Sequence, residues 1–167
     1  MAHTLSIAGA VHTAISLVPI AVGIYCFCRY TVINPNTRIG WIYLASLVLS
    51  VLTSFSVSST GSLNPAHVFG VIVLGVAFAG VFVLRFSFLG KARPYLSAFA
   101  LTFSFFLSLV PGTNETLTRL PVSHPVAEAP MAPVILSTLM VLFALFVAGY
   151  IAQCWFIYGN AKKRVSI

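Results

Sequence analysis

The four histidines have the widest chemical range of any side chains in this sequence. They are His3, His12, His67 and His124. A neutral imidazole binds haem iron, copper or zinc, and its charge changes near neutral pH. The histidines show no regular metal-binding spacing such as H-x-x-x-H, and the three cysteines fit no zinc pattern. A metal site would therefore depend on the fold bringing separate histidines together.

The few acidic residues of the protein lie close together in the sequence. Glu115 and Glu128 are the only acids in the protein, and Arg119 follows Glu115 at the i,i+4 spacing that favours an ion pair on a helix. This pair either stiffens a loop or orients a ligand or a histidine. Two acids leave little for general acid/base catalysis, and no Walker loop, dinucleotide fingerprint or nucleophile triad is present. The sequence leans against an enzyme.

The composition places the chain in a membrane. Of 167 residues, 59% are hydrophobic and only 7% are charged, with a mean hydropathy of +1.03. Too few charges are present to cover a soluble domain. We predict an all-α, polytopic transmembrane bundle of five helices that forms a single membrane domain over residues 1–167. The predicted spans are at about residues 5–28, 39–58, 66–89, 95–110 and 132–158.

The longest connection is predicted at residues 111–131, because Pro111 and Gly112 are expected to end the fourth span. That span is the shortest of the five. If it were re-entrant, the C-terminal tail would lie on the other side of the membrane.

The basic residues predict an orientation. Eight of the nine lie on one side of the predicted bundle, and only Arg119 lies on the other. Cytoplasmic loops carry the excess of Lys and Arg, so we expect the N-terminus outside and the C-terminus in the cytoplasm of a bacterial inner membrane. The net charge of +7 is then explained by topology and contact with anionic lipids, and nucleic-acid binding is not expected.

This orientation gathers the histidines and both acids toward the outer face, and it leaves the Trp and Tyr residues on the inner half. His12 shares a helix face with Ser16, and His67 shares one with Gly70, which indicates packed surfaces. The predicted outer site consists of His12, His67, Glu115 and Arg119. The second span also carries serines at strict i+4 spacing, and these predict a packing face. The serines are Ser46, Ser50, Ser54 and Ser58.

The sequence resembles an uncharacterised family of small bacterial multi-pass inner-membrane proteins over about residues 5–160. The resemblance rests on an early-helix histidine, an Arg-x-Gly-x-x-Tyr start to the second helix, a Pro-x-His start to the third and a Glu-Thr-Leu-Thr-Arg-Leu-Pro stretch. In this chain these motifs are His12; Arg38, Gly40 and Tyr43; Pro65 and His67; and Glu115–Pro121. The resemblance implies the topology and no settled activity.

Two positions depart from the family pattern. Relatives often carry a histidine directly before the arginine, where this chain has Thr37, and some carry one late in the fourth helix, where it has Leu107. These departures count against carrying over a metal or haem site from the family.

Three functional hypotheses follow. The first is an accessory integral membrane protein, a subunit of or neighbour to an electron-transfer complex, whose outer site contacts a cofactor, quinone, lipid or partner subunit. The second is a redox protein that binds haem b or copper through His12 and His67. The third is a small transporter, which the charge-poor spans disfavour.

Overall fold

The structure, a computed structural model, is described over residues 7–57, 65–121 and 123–165, with side chains described as far as residue 162. Five α-helices make up most of this part of the chain. They are α1 Ile7–Tyr30, α2 Arg38–Ser54, α3 Pro65–Phe82, α4 Arg93–Arg119 and α5 Pro133–Val165. Each is part of a segment long and apolar enough to cross a membrane. The predicted five-helix transmembrane bundle is confirmed, whereas its orientation stays a prediction. His3 and Ser58 lie outside the described residues.

Successive helices run antiparallel, so the chemically distinct groups separate to two ends. The main packing pairs are α1 with α2, α3 with α4 and α4 with α5. We call the end that carries His12, His67 and the Glu115–Arg119 pair the histidine end. We call the opposite end, which includes Arg29, Arg38 and the α3–α4 connection, the basic end.

The core centres on Tyr43 of α2, which is fully buried. Its hydroxyl lies 2.9 Å from the hydroxyl of Ser104 on α4, which in turn donates to the Leu101 carbonyl. In an apolar bundle a buried phenol needs such a partner, since no water is available to it. Tyr43 therefore ties α2 to α4 and does not belong to an interfacial aromatic belt.

The start of α2 explains the glycine of the Arg-x-Gly-x-x-Tyr motif. Thr37 caps the helix by accepting a hydrogen bond from the Gly40 N–H at 3.2 Å. A Cβ at Gly40 would overlap the carbonyl oxygen of Asn34 in the preceding turn. Glycine is thus required by the close approach of that turn to the helix.

The fourth helix is longer than the sequence predicts. It does not end at Pro111 but continues to Arg119, so the predicted end at residue 110 and the predicted loop 111–131 are wrong. A proline removes only one helical hydrogen bond, and the turns beyond Pro111 make further contacts of their own. Thr118 donates to the Asn114 carbonyl at 2.7 Å, and the backbone of Ala127 folds back to donate to Leu117 at 2.8 Å.

This extension settles the length of the fourth span. With 27 residues, α4 is about 40 Å long, which exceeds the thickness of a bilayer core. The connection to α5 is short and covers only residues 120–132. The charged pair therefore lies on the last turns of a spanning helix.

The fifth helix is held mainly by α4. Rings from the two helices form a continuous aromatic contact at centroid distances between 5.2 and 6.1 Å. The rings are Phe99, Phe103 and Phe106 on α4 and Phe143, Phe146 and Tyr150 on α5. Near the basic end, Gln153 of α5 is buried and accepts a hydrogen bond from Thr102 at 2.9 Å. Ile135 near the start of α5 is also buried, and many of the other apolar side chains of the helix are exposed.

Candidate functional site

His12 lies on α1 and reaches across to α2. Its Nδ1 atom is 3.0 Å from the hydroxyl oxygen of Thr53. That hydroxyl has one hydrogen, and the backbone carbonyls of Leu49 and Ser50 are acceptors at 2.9 and 3.0 Å from it. Threonine in a helix commonly bonds its own backbone in this way. When it does so, Thr53 accepts a hydrogen bond from His12.

The direction of this contact decides which nitrogen of the imidazole carries the hydrogen. When Thr53 accepts, Nδ1 of His12 carries the hydrogen, and in the neutral ring Nε2 carries the lone pair. When Thr53 donates to Nδ1, the hydrogen is on Nε2. In both forms the imidazole joins α1 to α2.

Two serines stand beside the His12 ring. The hydroxyls of Ser16 on α1 and Ser50 on α2 lie 2.7 Å apart and bond to each other. Ser16 is 3.5 Å from both ring nitrogens, which is long for a hydrogen bond. Ser50 belongs to the i+4 serine series, and Ser46 of the same series is buried. The series therefore faces neighbouring helices at these two positions, as predicted.

His67 opens α3 and is only 4% exposed. Its Nε2 atom lies 3.2 Å from the carbonyl oxygen of Ser54, the last residue of α2, and its ring stacks on Phe55 at 4.5 Å. Because a carbonyl only accepts, Nε2 of His67 is the donor. Carbonyls at a helix C-terminus lack helical partners, so this imidazole caps the end of α2. The predicted packed face is confirmed by this burial.

The two histidines contact opposite sides of the end of α2. Thr53, the partner of His12, and Phe55, the partner of His67, are two residues apart and project about 200° from each other around a helix. Haem is commonly bound through histidine, and a six-coordinate iron needs both nitrogens to face it. Nε2 of His67 is already committed to Ser54. This geometry does not favour one iron between the two rings.

The charged pair forms as the spacing predicts. Arg119 Nε and a carboxylate oxygen of Glu115 are 2.6 Å apart, with the two side chains 52% and 55% exposed. The depth of Glu115 relative to His12 follows from one contact between α1 and α4, where Gly23 packs on Phe105. The two helices are antiparallel, so the histidine end is reached by going back along α1 and forward along α4. Eleven residues from the contact in these directions are His12 and Thr116, and Glu115 is therefore nearly level with the imidazole.

The predicted outer site is thus brought together only in part. His12, Glu115 and Arg119 share one end of the bundle, whereas His67 lies across α2 from His12. His124 is exposed in the connection between α4 and α5. Within the described ranges, no three His, Cys, Asp or Glu side chains are grouped as they would be to hold a metal ion.

Two polar bridges were not anticipated from the sequence. Tyr43 with Ser104 and Gln153 with Thr102 both join helices far apart in the chain. The signal for Gln153 is present, since it is a lone amide in an apolar run and such residues usually face the interior of a bundle. Its partners depend on the packing and cannot be read from spacing.

No protein-family model, curated protein or solved structure matches this chain. The resemblance of its motifs to a bacterial family remains a prediction, and the function is argued from the geometry.

Proposed function

We propose that this protein is a non-catalytic accessory subunit in a bacterial inner membrane, working within or beside an electron-transfer assembly. Its histidine end contacts a cofactor, a quinone or a partner subunit. One observation carries the proposal: His12 and the exposed Glu115–Arg119 pair gather at one end of a bundle whose helix faces are otherwise apolar. Lipid covers the apolar faces, so the polar end is the place for a specific contact.

The hydrogen bonds at this end support contact more than catalysis. A serine nucleophile needs a base within hydrogen-bonding reach to take its proton. Ser16 bonds to Ser50 at 2.7 Å and lies 3.5 Å from the His12 nitrogens. The acid nearest to His12, Glu115, is held by Arg119. None of these groups is arranged as an acid/base pair.

The charged pair has the exposure expected of a recognition feature. An ion pair in which both side chains are about half exposed contributes about 0–1 kcal/mol to stability. Charges at the rim of an interface instead direct partner choice and association rate. The protein has only two acids, and one of them is in this pair. The histidine end therefore presents a negative charge beside a positive one, which the basic end does not.

Site-specific photo-crosslinking in native membranes tests the proposal. One photoreactive residue replaces Leu120, which is 52% exposed beside the charged pair, and a control replaces Trp155, which is 79% exposed near the basic end. We expect position 120 to crosslink to a membrane protein that carries a redox cofactor, and position 155 to give no such product.

A charge-free variant completes the test. Glu115→Gln combined with Arg119→Gln should reduce the crosslink at position 120 by more than half, while the free energy of unfolding changes by less than about 1 kcal/mol. A monodisperse monomer without crosslinks, or an equally strong crosslink in the charge-free variant, would overturn the proposal.

A further inference from the structure

The connection between α3 and α4, residues 83–92, brings exposed cations and exposed aromatic rings together at the basic end. We infer that this connection binds an anionic phospholipid of the type of phosphatidylglycerol. Arg85 and Lys91 contact its phosphate, and Phe88 inserts among its acyl chains. The site lies at the opposite end of the bundle from the histidine end, so it is independent of the accessory role.

One guanidinium fixes the shape of this connection. Arg93, the first residue of α4, donates from Nε to the Gly90 carbonyl at 3.1 Å and from Nη1 to the Leu84 carbonyl at 3.3 Å. The two nitrogens belong to one planar group, so the two carbonyls are held close together. Arg85 and Lys91 each directly follow one of these carbonyls. The two cations therefore start from neighbouring points of the backbone.

The charge of these two cations is not balanced by the protein. Both side chains are exposed, and the ion pair found within the described ranges is Glu115–Arg119 at the histidine end. The second acid, Glu128, lies in the 120–132 connection, also at the histidine end. The guanidinium of Arg85 has a planar fork that suits two phosphate oxygens, and the ammonium of Lys91 adds a point charge. An anionic phosphate group is thus the complementary partner.

Aromatic rings beside the cations indicate that the phosphate belongs to a lipid. Phe88 is 81% exposed and Phe86 is 51% exposed, with their ring centroids 5.8 Å apart. The Arg85 guanidinium lies 5.8 Å from the ring centroid of Phe82 at the end of α3. Rings at the end of a span are stabilised at the membrane interface, and long cationic side chains extend outward to the headgroups. A phospholipid supplies both contacts, whereas a free phosphate ion supplies only one.

Fluorescence quenching at position 88 tests the site in the full chain. Trp41→Phe and Trp155→Phe remove the two native tryptophans, so that Phe88→Trp introduces the only one. The protein is reconstituted in phosphatidylcholine vesicles that contain brominated phosphatidylglycerol or brominated phosphatidylcholine at equal mole fractions. Relative binding constants follow from the two quenching curves. We expect phosphatidylglycerol to bind at least about fivefold more tightly, which corresponds to one basic residue near an anionic lipid.

Two charge-matched variants separate a site from general surface charge. Arg85→Gln combined with Lys91→Gln should abolish the preference for phosphatidylglycerol at position 88. Arg29→Gln combined with Arg38→Gln removes the same number of exposed charges from the same end and should retain most of the preference. The comparison is made at about 0.15 M salt, where exposed charges farther apart than about 8 Å are largely screened.

Native mass spectrometry of the unaltered protein guards against misfolding of the variants. In micelles that contain equal amounts of the two lipids, we expect phosphatidylglycerol adducts to predominate and to persist in an excess of inorganic phosphate. Displacement of these adducts by phosphate would overturn the inference and would indicate a site for a free anion.

Three other results would also overturn the inference. They are predominance of phosphatidylcholine adducts, absence of quenching at position 88 by either brominated lipid, and an equal loss of preference in the two double variants. The last result would show that only the net charge of the basic end matters.

Discussion

His12 on α1 and Thr53 on α2 lie with Nδ1 and Oγ1 3.0 Å apart, and the Thr53 hydroxyl is also 2.9 Å from the Leu49 carbonyl of its own helix. The contact joins two helices. When the hydroxyl hydrogen is on that carbonyl, the contact requires the hydrogen of His12 to be on Nδ1. At the buried His67 it is Nε2 that donates, to the Ser54 carbonyl, so we expect the two rings to be opposite tautomers.

Histidine ¹⁵N NMR tests this assignment. In the neutral protein, we expect His12 to be protonated at Nδ1 and His67 at Nε2, because a carbonyl or an already donating hydroxyl only accepts. Thr53→Val removes the acceptor for His12 at similar volume and should return that ring to a mixture of tautomers while His67 stays unchanged. Finding His12 protonated only at Nε2 would show that Thr53 donates to the ring and would contradict the expected tautomer.

Haem binding separates the accessory hypothesis from the redox-protein hypothesis. His12 and His67 contact opposite sides of the end of α2, and Nε2 of His67 is used by Ser54. We therefore expect that added haemin gives no six-coordinate, bis-histidine absorption spectrum. A stoichiometric Soret band that disappears in both His12→Ala and His67→Ala would show that the end of α2 rearranges to admit an iron.

Orientation is predicted from the basic residues alone and can be measured directly. In a variant without native cysteines, Ser123→Cys places a thiol in the 120–132 connection and Asn36→Cys places one in the turn before α2; both positions are exposed. If the N-terminus is outside, an impermeant maleimide should label position 123 in intact cells and position 36 only after lysis. The reverse pattern would turn the histidine end toward the cytoplasm.

The fold was largely predictable because its causes are local. Apolar runs of spanning length predict helices in a membrane, and all five were confirmed. The end of α4 was predicted wrongly, because Pro111 and Gly112 are strong stop signals in a sequence. The folded-back connection that supports the last turns, through Ala127 and Leu117, is a tertiary contact that local rules do not contain.

The residues of the candidate site could be predicted from the sequence, but their arrangement could be predicted only in part. The i,i+4 rule gave the Glu115–Arg119 pair, because both residues lie on one helix. The separation of His12 from His67 depends on which side of α2 each neighbouring helix packs. Depth in the membrane follows from sequence position, but rotation around a neighbouring helix does not.

Gln153 provides the sharpest test of how α5 is held at the basic end. Its side chain is 2% exposed, accepts from Thr102 on α4 and donates to the Thr31 carbonyl after α1 at 3.0 Å. Gln153→Leu keeps the volume and removes both bonds, leaving the Thr31 carbonyl without that donor. Interhelical hydrogen bonds in membranes contribute about 0.6 kcal/mol on average, so we expect a loss of about 1–2 kcal/mol in the free energy of unfolding.

Ser137→Ala is the matched control, since the Ser137 hydroxyl on the same helix is exposed and bonds only to its own backbone at Val134. It should change the free energy of unfolding by less than about 0.5 kcal/mol. Because the aromatic contact of Phe99, Phe103 and Phe106 with α5 remains in place, Gln153→Leu should loosen the basic end without detaching the helix. Equal stability of the two variants would show that the amide bridge does not hold α5, and that the rings alone do.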